Sequence, residues 1–431
     1  MPAPLRIGLA GLGTVGIGVV KIVQRHADLI EARAGRPVVI TAVSARDRQK
    51  NRDADLSNYA WETDPVALAR RDDVDVFVEV MGGHDGPARM ATEAAIAAGK
   101  DIVTANKALL AHHGHELAMA AEAQGRVIRF EAAVAGGIPV IKTLTEGLAG
   151  NQIRRVMGVM NGTCNYILTR MQAAGLPYET VFEEARQLGY LEADPNLDVG
   201  GIDAGHKLSL LAAIAFGTRV SFDKVELEGI GNVSIDDINL ADDMGYHIKL
   251  LGVAQMTGRG LEQRMTPCLV PAESPLGQLQ GGTNMVVLEG DSVGQIVLRG
   301  AGAGEGPTAS AVMADVIDIA RGTRLFTFGR PAASLAEPVA AKSATPAPYY
   351  LRMTLLDKPG ALAKIATALG EAGISIDQMR QLNQPNEADN KATVLIVTHK
   401  ASPADVTFAL DKFDTTGVLI GAPVAIRIEE V

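Results

Sequence analysis

Residues 189–208, GYLEADPNLDVGGIDAGHKL, place Glu192, Asp194, Asp198 and Asp203 close together and follow them with Lys207. Carboxylates at this density can hold an ammonium group. A lysine beside them can stabilise negative charge growing on an oxygen and then give up its proton. Asp203 and Lys207 are four apart, so a helix puts them on one face. The same residues also fit an acidic, solvated loop followed by an ordinary ion pair. The segment alone leaves both readings open. Lysine serves best as an acid when burial or a second cation lowers its pKa, and Asp203 pulls the other way.

Three further groups of residues could do chemistry. Gly11-x-Gly13-x-x-Gly16 follows an apolar strand and opens a helix, which is the setting of a dinucleotide-binding turn. The first glycine permits the turn, the second lets backbone approach a pyrophosphate, and the third lets helix and strand pack closely. Thr14 and Val15 lie inside this turn. At the end of the second strand, where an acid would bind the ribose hydroxyl of NAD, the chain reads Ser44-Ala45-Arg46-Asp47. Arg46 suits a 2′-phosphate, so NADP is the expected cofactor, with NAD as the alternative because Asp47 is adjacent.

Cys164 is a thiol at a helix start, a position that favours thiolate, yet small cysteines more often pack in cores. His112, His113 and His115 have no carboxylate or cysteine at ligand spacing and are expected on a solvated helix face. Lys224 and Lys249 are isolated and read as surface charges. Asp236, Asp237, Asp242 and Asp243 read as solvated loop and helix-start residues.

The elements that must position these groups follow from periodicity. Leu5–Ala10, Val38–Ser44, 75–80 and Asp101–Thr104 are short apolar strands, alternating with helices over 14–31 and around 87–98. That alternation predicts a parallel, doubly wound α/β sheet of Rossmann type. Pro195 and the Gly200-Gly201 pair predict a loop under the carboxylates, and AGHKLSLLAAIAF predicts a buried helix with Asp203 in its first turn.

Strands such as 154–160 and helices such as 163–173 imply a second, α+β unit. A glycine-rich run over 300–306 leads to a helix over 308–321 that could pack back on the first unit. The order from residue 349 onward is βαββαβ, a separate ferredoxin-like unit. The expected boundaries are 1–135 for the dinucleotide unit, completed by a helix within 305–325, then 136–304, a linker over 326–348 rich in alanine and proline, and 349–431.

Composition narrows the class. The chain has 431 residues, 47% hydrophobic and 21% charged, which suits two or three globular domains. A formal charge of −10 argues against nucleic acid and anionic membrane surfaces as partners. Two cysteines exclude a disulfide framework and fit a reducing cytoplasm. No leader pattern and no apolar run near the ~20 residues of a membrane span is visible.

With the 189–208 segment, three other stretches form a set: Thr104-Ala105-Asn106-Lys107, EAAVAGGIP over 131–139, and NGTCNY over 161–166. The set closely resembles homoserine dehydrogenase over nearly the whole chain. DKPGAL over 357–362, after the first strand of the last unit, resembles an ACT domain. The resemblance implies interconversion of L-aspartate 4-semialdehyde and L-homoserine in threonine, methionine and isoleucine biosynthesis.

It also implies residue roles. Lys207 resembles the general acid and Asp203 its partner at the substrate. Glu192 resembles the residue binding the amino end of homoserine, with Tyr190, Asp198 and Thr163 as further pocket positions. Lys107 lies near both nicotinamide and substrate. Glu131, Val134, Gly136 and Ile138 resemble positions that hold a monovalent cation, usually sodium, largely through carbonyls. Gly304 and Glu305 resemble a loop closing over the cofactor. Asp357 and Gly360 lie near an expected threonine site, and paired ACT units imply a homodimer or homotetramer. Two other readings stay open: another NADP-linked reductase of the same fold, and a non-catalytic amino-acid sensor.

Overall fold

Short runs of valine, isoleucine and phenylalanine without polar alternation form strands covered on both faces. In the computed structural model, which describes residues 2–191, 194–383 and 390–431, six strands make the first sheet, the middle four of this kind and the two at its edges short or only partly buried. They are β1 (Leu5–Ala10), β2 (Val38–Ser44), β3 (Ala60–Glu62), β4 (Val76–Glu79), β5 (Asp101–Thr104) and β6 (Ile128–Arg129). All pair in parallel, in the order β3-β2-β1-β4-β5-β6. The order reverses between β1 and β4, so a crevice opens beyond their C-terminal ends, where ligands of such sheets bind.

Helices α1 (Thr14–Arg25), α2 (Ala27–Ala34), α3 (Pro65–Ala69), α4 (Pro87–Ala97) and α5 (Lys107–Ala123) flank this sheet. The single helix expected over 14–31 is broken at His26, whose φ of −121° and ψ of +27° leave the helical region. The turn redirects the chain so that Ile30 and Ala34 bury against the same core.

After α6 (Val140–Lys142), the second sheet begins with β7 (Ile153–Val159). Helices α7 (Gly162–Ala174), α8 (Tyr178–Gln187), α9 (Pro195–Val199) and α10 (Ile202–Phe216) follow. The acidic loop expected around residue 195 therefore contains a short helix, with Pro195 in its first turn and Asp194 accepting from Asn196 N at its start. In α10, every residue from Asp203 to Ile214 is buried, as the apolar run requires.

Next come β8 (Glu226–Leu227), α11 (Ile235–Asp242), β9 (Tyr246–Thr257), β10 (Gly260–Pro271), β11 (Thr283–Gly290) and β12 (Gly294–Ala301). Helix α12 (Glu305–Ala320) starts earlier than the expected residue 308. Pro307 is tolerated in its first turn and Glu305 is favoured there by the helix dipole. α12 returns to the first unit, where Glu305 and Ala309 contact Gly18 of α1. Glu305 is thus the first helical residue and not part of a loop.

The last unit holds β13 (Tyr349–Leu356), α13 (Ala361–Glu371), β14 (Ile376–Asn383), β15 (Lys391–Thr398), α14 (Pro403–Thr415) and β16 (Leu419–Ile428). It has its own core, around Leu351, Ile365 and Phe413. Its sheet is not separate, however. The second sheet runs β12-β11-β7-β9-β10-β16-β13-β15-β14, because β10 and β16 pair in parallel at Cys268–Arg427 and Leu269–Ile428.

The linker is also more than a spacer. Its backbone bridges Thr218 to Ala336 and Leu261 to Ala340, Ala332 and Leu335 are buried, and Thr345 donates N–H and hydroxyl to Glu262. Backbone pairing of this kind needs no apolar periodicity, so composition did not reveal it. Asp237, expected to be solvated, is buried and receives Arg352 of β13, with Nη2 3.0 Å from Oδ2. Lys224 is half-buried and donates to Pro338 O at 2.8 Å, tying the linker down.

Candidate functional site

A cleft of about 700 Å³ opens where the first sheet's switch point faces α7 and α10. The turn after β1 forms one end. Gly11 has a φ of +102°, a left-handed value that suits glycine. A Cβ on Gly13 would meet nothing within 4 Å, so the backbone there is open to a bulky anion. A Cβ on Gly16 would lie 2.0 Å from Gly11 O, so helix and turn can close only without one. Thr14 and Val15 line the cleft beside this open backbone.

At the centre, the first turns of α5 and α10 and the cap of α7 deliver their side chains to one point. Asn106 caps α5 by accepting from Leu109 N, which sets Lys107 at the first helical position. Gly201, with a φ of +80°, starts α10 and places Asp203 in its first turn. Lys207 Nζ lies 2.6 Å from Asp203 Oδ2, and Lys107 Nζ lies 2.9 Å from Asp203 Oδ1. Each carboxylate oxygen therefore holds one ammonium. Burial works to raise the Asp203 carboxyl, but Lys207 and Lys107 outweigh it and hold it well below the usual carboxylate range. Lys207 also donates to Met160 O at 2.8 Å, which fixes its direction; an ammonium has three N–H groups, and Lys207 lines the cleft.

Asn161 joins α7 to this group. Its Oδ1 accepts from Cys164 N at 2.8 Å as the helix cap, while Nδ2 donates to Asp198 Oδ1 at 2.9 Å and faces Asp203 Oδ2 at 3.4 Å. Within the NGTCNY motif Asn161 has no role that spacing alone reveals; an asparagine just before a helix is the available signal. Thr163 donates to Tyr190 O at 2.9 Å, and the Tyr190 ring stacks on Tyr166 with centroids 4.6 Å apart. Asn284 of β11 was also missed. It lines the cleft, and its Oδ1 is buried with no hydrogen-bond partner among the described residues.

The structure thus brings Thr14, Val15, Lys107, Gly136, Thr163, Tyr190, Asp198, Asp203, Lys207 and Gly304 to one cleft. Glu192 lies outside the described residues. Glu305 does not line the cleft; its carboxylate is 3.0 Å from Lys21 Nζ. Arg46 is exposed after β2, next to Arg48 and Arg52, which lie over the Trp61 ring. Glu131, Val134 and Ile138 are buried beside the cleft. Glu131 accepts from Ile141 N and Lys142 N at 2.9 and 2.8 Å, and burial, reinforced by Asp315, pushes its carboxyl up to about 7. Asp357 and Gly360 stand apart, at the start of α13.

Other candidates separate by burial. Cys164 is fully buried against Asp198 O, and burial, with Asp198 and Asp203 nearby, pushes its thiol well above the usual range. A helix start does not yield a thiolate here. Lys249, expected at the surface, is only 3% exposed. It donates to Leu279 O at 2.5 Å and Asn165 Oδ1 at 3.2 Å, and burial pushes its ammonium down to about 8. The signal was alternation: Lys249, Leu251 and Val253 share one face of β9, and that face is apolar core. The histidines are not simply a solvated face. His112 lies 4.5 Å from the His84 ring and 5.5 Å from that of His206, and His113 lies 3.0 Å from Asp85.

Comparison with known proteins agrees with this arrangement. Residues 139–317 match the family described as homoserine dehydrogenase, 11–131 match the homoserine dehydrogenase NAD binding domain, and 349–413 match the ACT domain. The chain is 40% identical to the homoserine dehydrogenase of Pseudomonas aeruginosa, with 99% of each covered. It superposes on the crystal structure of a homoserine dehydrogenase from Thiobacillus denitrificans with a TM-score of 0.93 at 39% identity, over 99% of both chains. A hyperthermophilic archaeal homoserine dehydrogenase in complex with NADPH matches 73% of this chain and 97% of its own, with a TM-score of 0.61 at 25% identity.

Proposed function

This chain belongs to the homoserine dehydrogenase family and ends in an ACT domain, and from that premise we propose that it interconverts L-aspartate 4-semialdehyde and L-homoserine with NADP(H), in the branch leading to threonine, methionine and isoleucine. The observation that carries the reading is Asp203 held between Lys107 and Lys207 in a cleft that begins at the dinucleotide turn.

The residues present fit a nicotinamide cofactor. Open backbone at Gly13 and the N-terminus of α1 suit a pyrophosphate, and the orphaned Asn284 Oδ1 can accept from a ligand N–H. When bound, the cofactor supplies or accepts the hydride. Lys207, aimed by Met160 O and Asp203, donates its proton to the aldehyde oxygen as negative charge builds there, and takes it back in the reverse direction. Lys107 adds positive charge on the same side. Asp203 orients both ammoniums, Asp198, Thr163 and Tyr190 line the substrate pocket, and the amino end of homoserine is assigned to Glu192 by the family resemblance.

A hard monovalent cation such as sodium would be held by the segment carrying Glu131, Val134, Gly136 and Ile138. Ala135 and Gly136 both have a φ of +56°, so the backbone reverses there. The Glu131 carboxylate is engaged with backbone N–H groups, which leaves main-chain carbonyls as the ligands. Its effect would be to stiffen the connection between the two sheets beside the cleft.

The direct test is formation of NADPH from NADP with L-homoserine as the only reductant. Turnover with another hydroxy acid but not homoserine would favour a different reductase of the same fold, and no turnover with any would favour a sensor. Arg46 predicts a kcat/KM for NADPH above that for NADH. Substitution Arg46→Ala is expected to remove most of that preference, a charge-assisted phosphate contact being worth roughly tenfold or more. A wild-type enzyme that prefers NADH would reject the assignment.

The ACT unit is the proposed site of threonine feedback. Gly360, with a φ of +84°, precedes α13 near Asp357, and that helix end has no side-chain cap and suits an amino-acid carboxylate. Because the 332–345 stretch is bound to the body, the cut that tests this belongs at residue 348 and not near 330. The shortened chain is expected to keep homoserine oxidation and lose threonine inhibition, and Asp357→Ala in the full chain is expected to weaken the inhibition. Inhibition unchanged in both would remove the ACT unit from the control. Pairing of ACT units would make the enzyme a homodimer or homotetramer, which sedimentation measures.

A further inference from the structure

Asn161 stands where β7 turns into α7, and this junction touches the Lys207–Asp203 pair twice. The carbonyl of Met160, the residue before it, accepts from Lys207 Nζ, and the Asn161 side chain reaches the Asp203 carboxylate. Asn161 is itself buried and lines the cleft. Its amide can face only one way. Oδ1 accepts from Cys164 N at 2.8 Å, so the NH2 group points at the carboxylates. A flipped amide would set N–H against N–H on one side and oxygen against carboxylate on the other.

One NH2 group then serves two acids. Nδ2 donates to Asp198 Oδ1 at 2.9 Å and to Asp203 Oδ2 at 3.4 Å, the oxygen that also receives Lys207. Asp198 and Asp203 are both buried. Carboxylates that share a buried site repel each other, and an N–H aimed at each offsets the repulsion. Capping α7 does not require this arrangement. Serine and aspartate cap a helix as well as asparagine does, and neither carries an NH2 group.

We propose that Asn161 is a positioning residue of the dehydrogenase reaction: its amide fixes both carboxylates, so that Asp203 aims Lys207 while Asp198 faces the substrate. The role rests on the activity proposed above, with Lys207 as proton donor. Asn161 acts through the two acids and takes no part in the proton transfer itself.

The test compares full-length wild type with Asn161→Ser, Asn161→Asp and Asn161→Ala. It reads kcat for homoserine oxidation from pH 6 to 9, the affinity for NADPH, and the melting temperature. If capping were the whole role, serine and aspartate would behave like wild type and alanine alone would be impaired. Positioning gives a different order. Asn161→Ser is expected to keep its melting temperature and NADPH affinity near wild type and to lose roughly tenfold in kcat, as for a lost hydrogen bond to a charged group. Asn161→Asp is expected to lose ~10²-fold at pH 8, the usual result of misplacing a reacting group by about 1 Å.

The deficit in Asn161→Asp should shrink as pH falls. Its new carboxyl faces Asp198 on α9 and Asp203 on α10, and their charges, with burial, raise its pKa. Lys207 on α10 and Lys107 on α5 pull the other way but are already paired with Asp203. The Cys164 thiol on α7 is pushed up and stays neutral. Once protonated, the new carboxyl donates where the amide did. The proposal is overturned if Asn161→Ser and Asn161→Asp both keep near wild-type kcat, if the kcat losses follow losses in melting temperature, or if the Asn161→Asp deficit is the same at every pH. A wild type without homoserine turnover would overturn the activity and this role with it, which keeps the two failures distinct.

Discussion

Substitution Lys207→Ala is expected to lower kcat by ~10²-fold or more, the usual contribution of a positioned general acid, while leaving the affinity for NADPH close to that of the wild type. The separation follows from geometry. Lys207 touches Asp203 and Met160 O at the centre of the cleft, whereas the dinucleotide turn is built from backbone at Gly11, Gly13 and Gly16. A hundredfold loss corresponds to about 2.7 kcal/mol at the transition state. Lys207→Arg separates two roles that alanine removes together. Arginine keeps the positive charge but does not give up a proton at working pH. Low kcat in both variants assigns Lys207 as the proton donor. An arginine variant near wild-type kcat would reduce the role to charge stabilisation, and an alanine variant near wild-type kcat would remove Lys207 from the mechanism.

Asp203→Asn is expected to harm both catalysis and stability. The carboxylate contacts both ammoniums, and without it Lys107 and Lys207 repel each other. Misplacement of a reacting group by about 1 Å costs on the order of 10²-fold in rate, so a kcat loss of that order is expected, with Lys207 present but poorly aimed. Removing one partner of a buried pair costs about 3–5 kcal/mol. The lower end applies here, because Lys107 is 31% exposed and can turn to solvent.

The stability effect has a defined pH dependence. The Asp203 carboxyl is depressed in the folded protein relative to its ordinary value of 3.8. Its contribution is therefore complete above about pH 4 and is lost as pH falls toward the lower folded value. Denaturant midpoints of wild type and Asp203→Asn should differ by a constant amount from pH 5 to 8 and converge below about pH 4. A gap that persists undiminished in acid would show that the loss comes from packing and not from charge.

Much of the site was legible because its logic is local. A strand, a glycine turn and a helix start are read from neighbouring residues, and the turn's chemistry follows from backbone that tolerates no Cβ at Gly16. The i,i+4 relation of Asp203 and Lys207 needs only helical periodicity, and the apolar run after them requires a buried helix. Asn161 was overlooked because one asparagine does two jobs, capping α7 and holding Asp198, and only the first has a local signature. Lys249 and Asp237 were misjudged because an isolated charge is usually solvated. Alternation along β9 was the available correction for Lys249. For Asp237 the partner, Arg352, belongs to the next unit, and nothing near Asp237 in the chain announces it.

By itself, then, the amino-acid sequence determined the elements and the residue types each one presents, since helical and strand periods act over a few residues. It also determined the family resemblance, because the motifs occur in order along the whole chain. Only the tertiary structure decided which charges meet across the fold: Lys107 with Asp203, Arg352 with Asp237, and Arg264 with Glu429. The physical reason is that burial and ion pairing depend on what lies across a gap in space. The chain closes that gap through the β10–β16 seam and the return of α12, which no local period encodes.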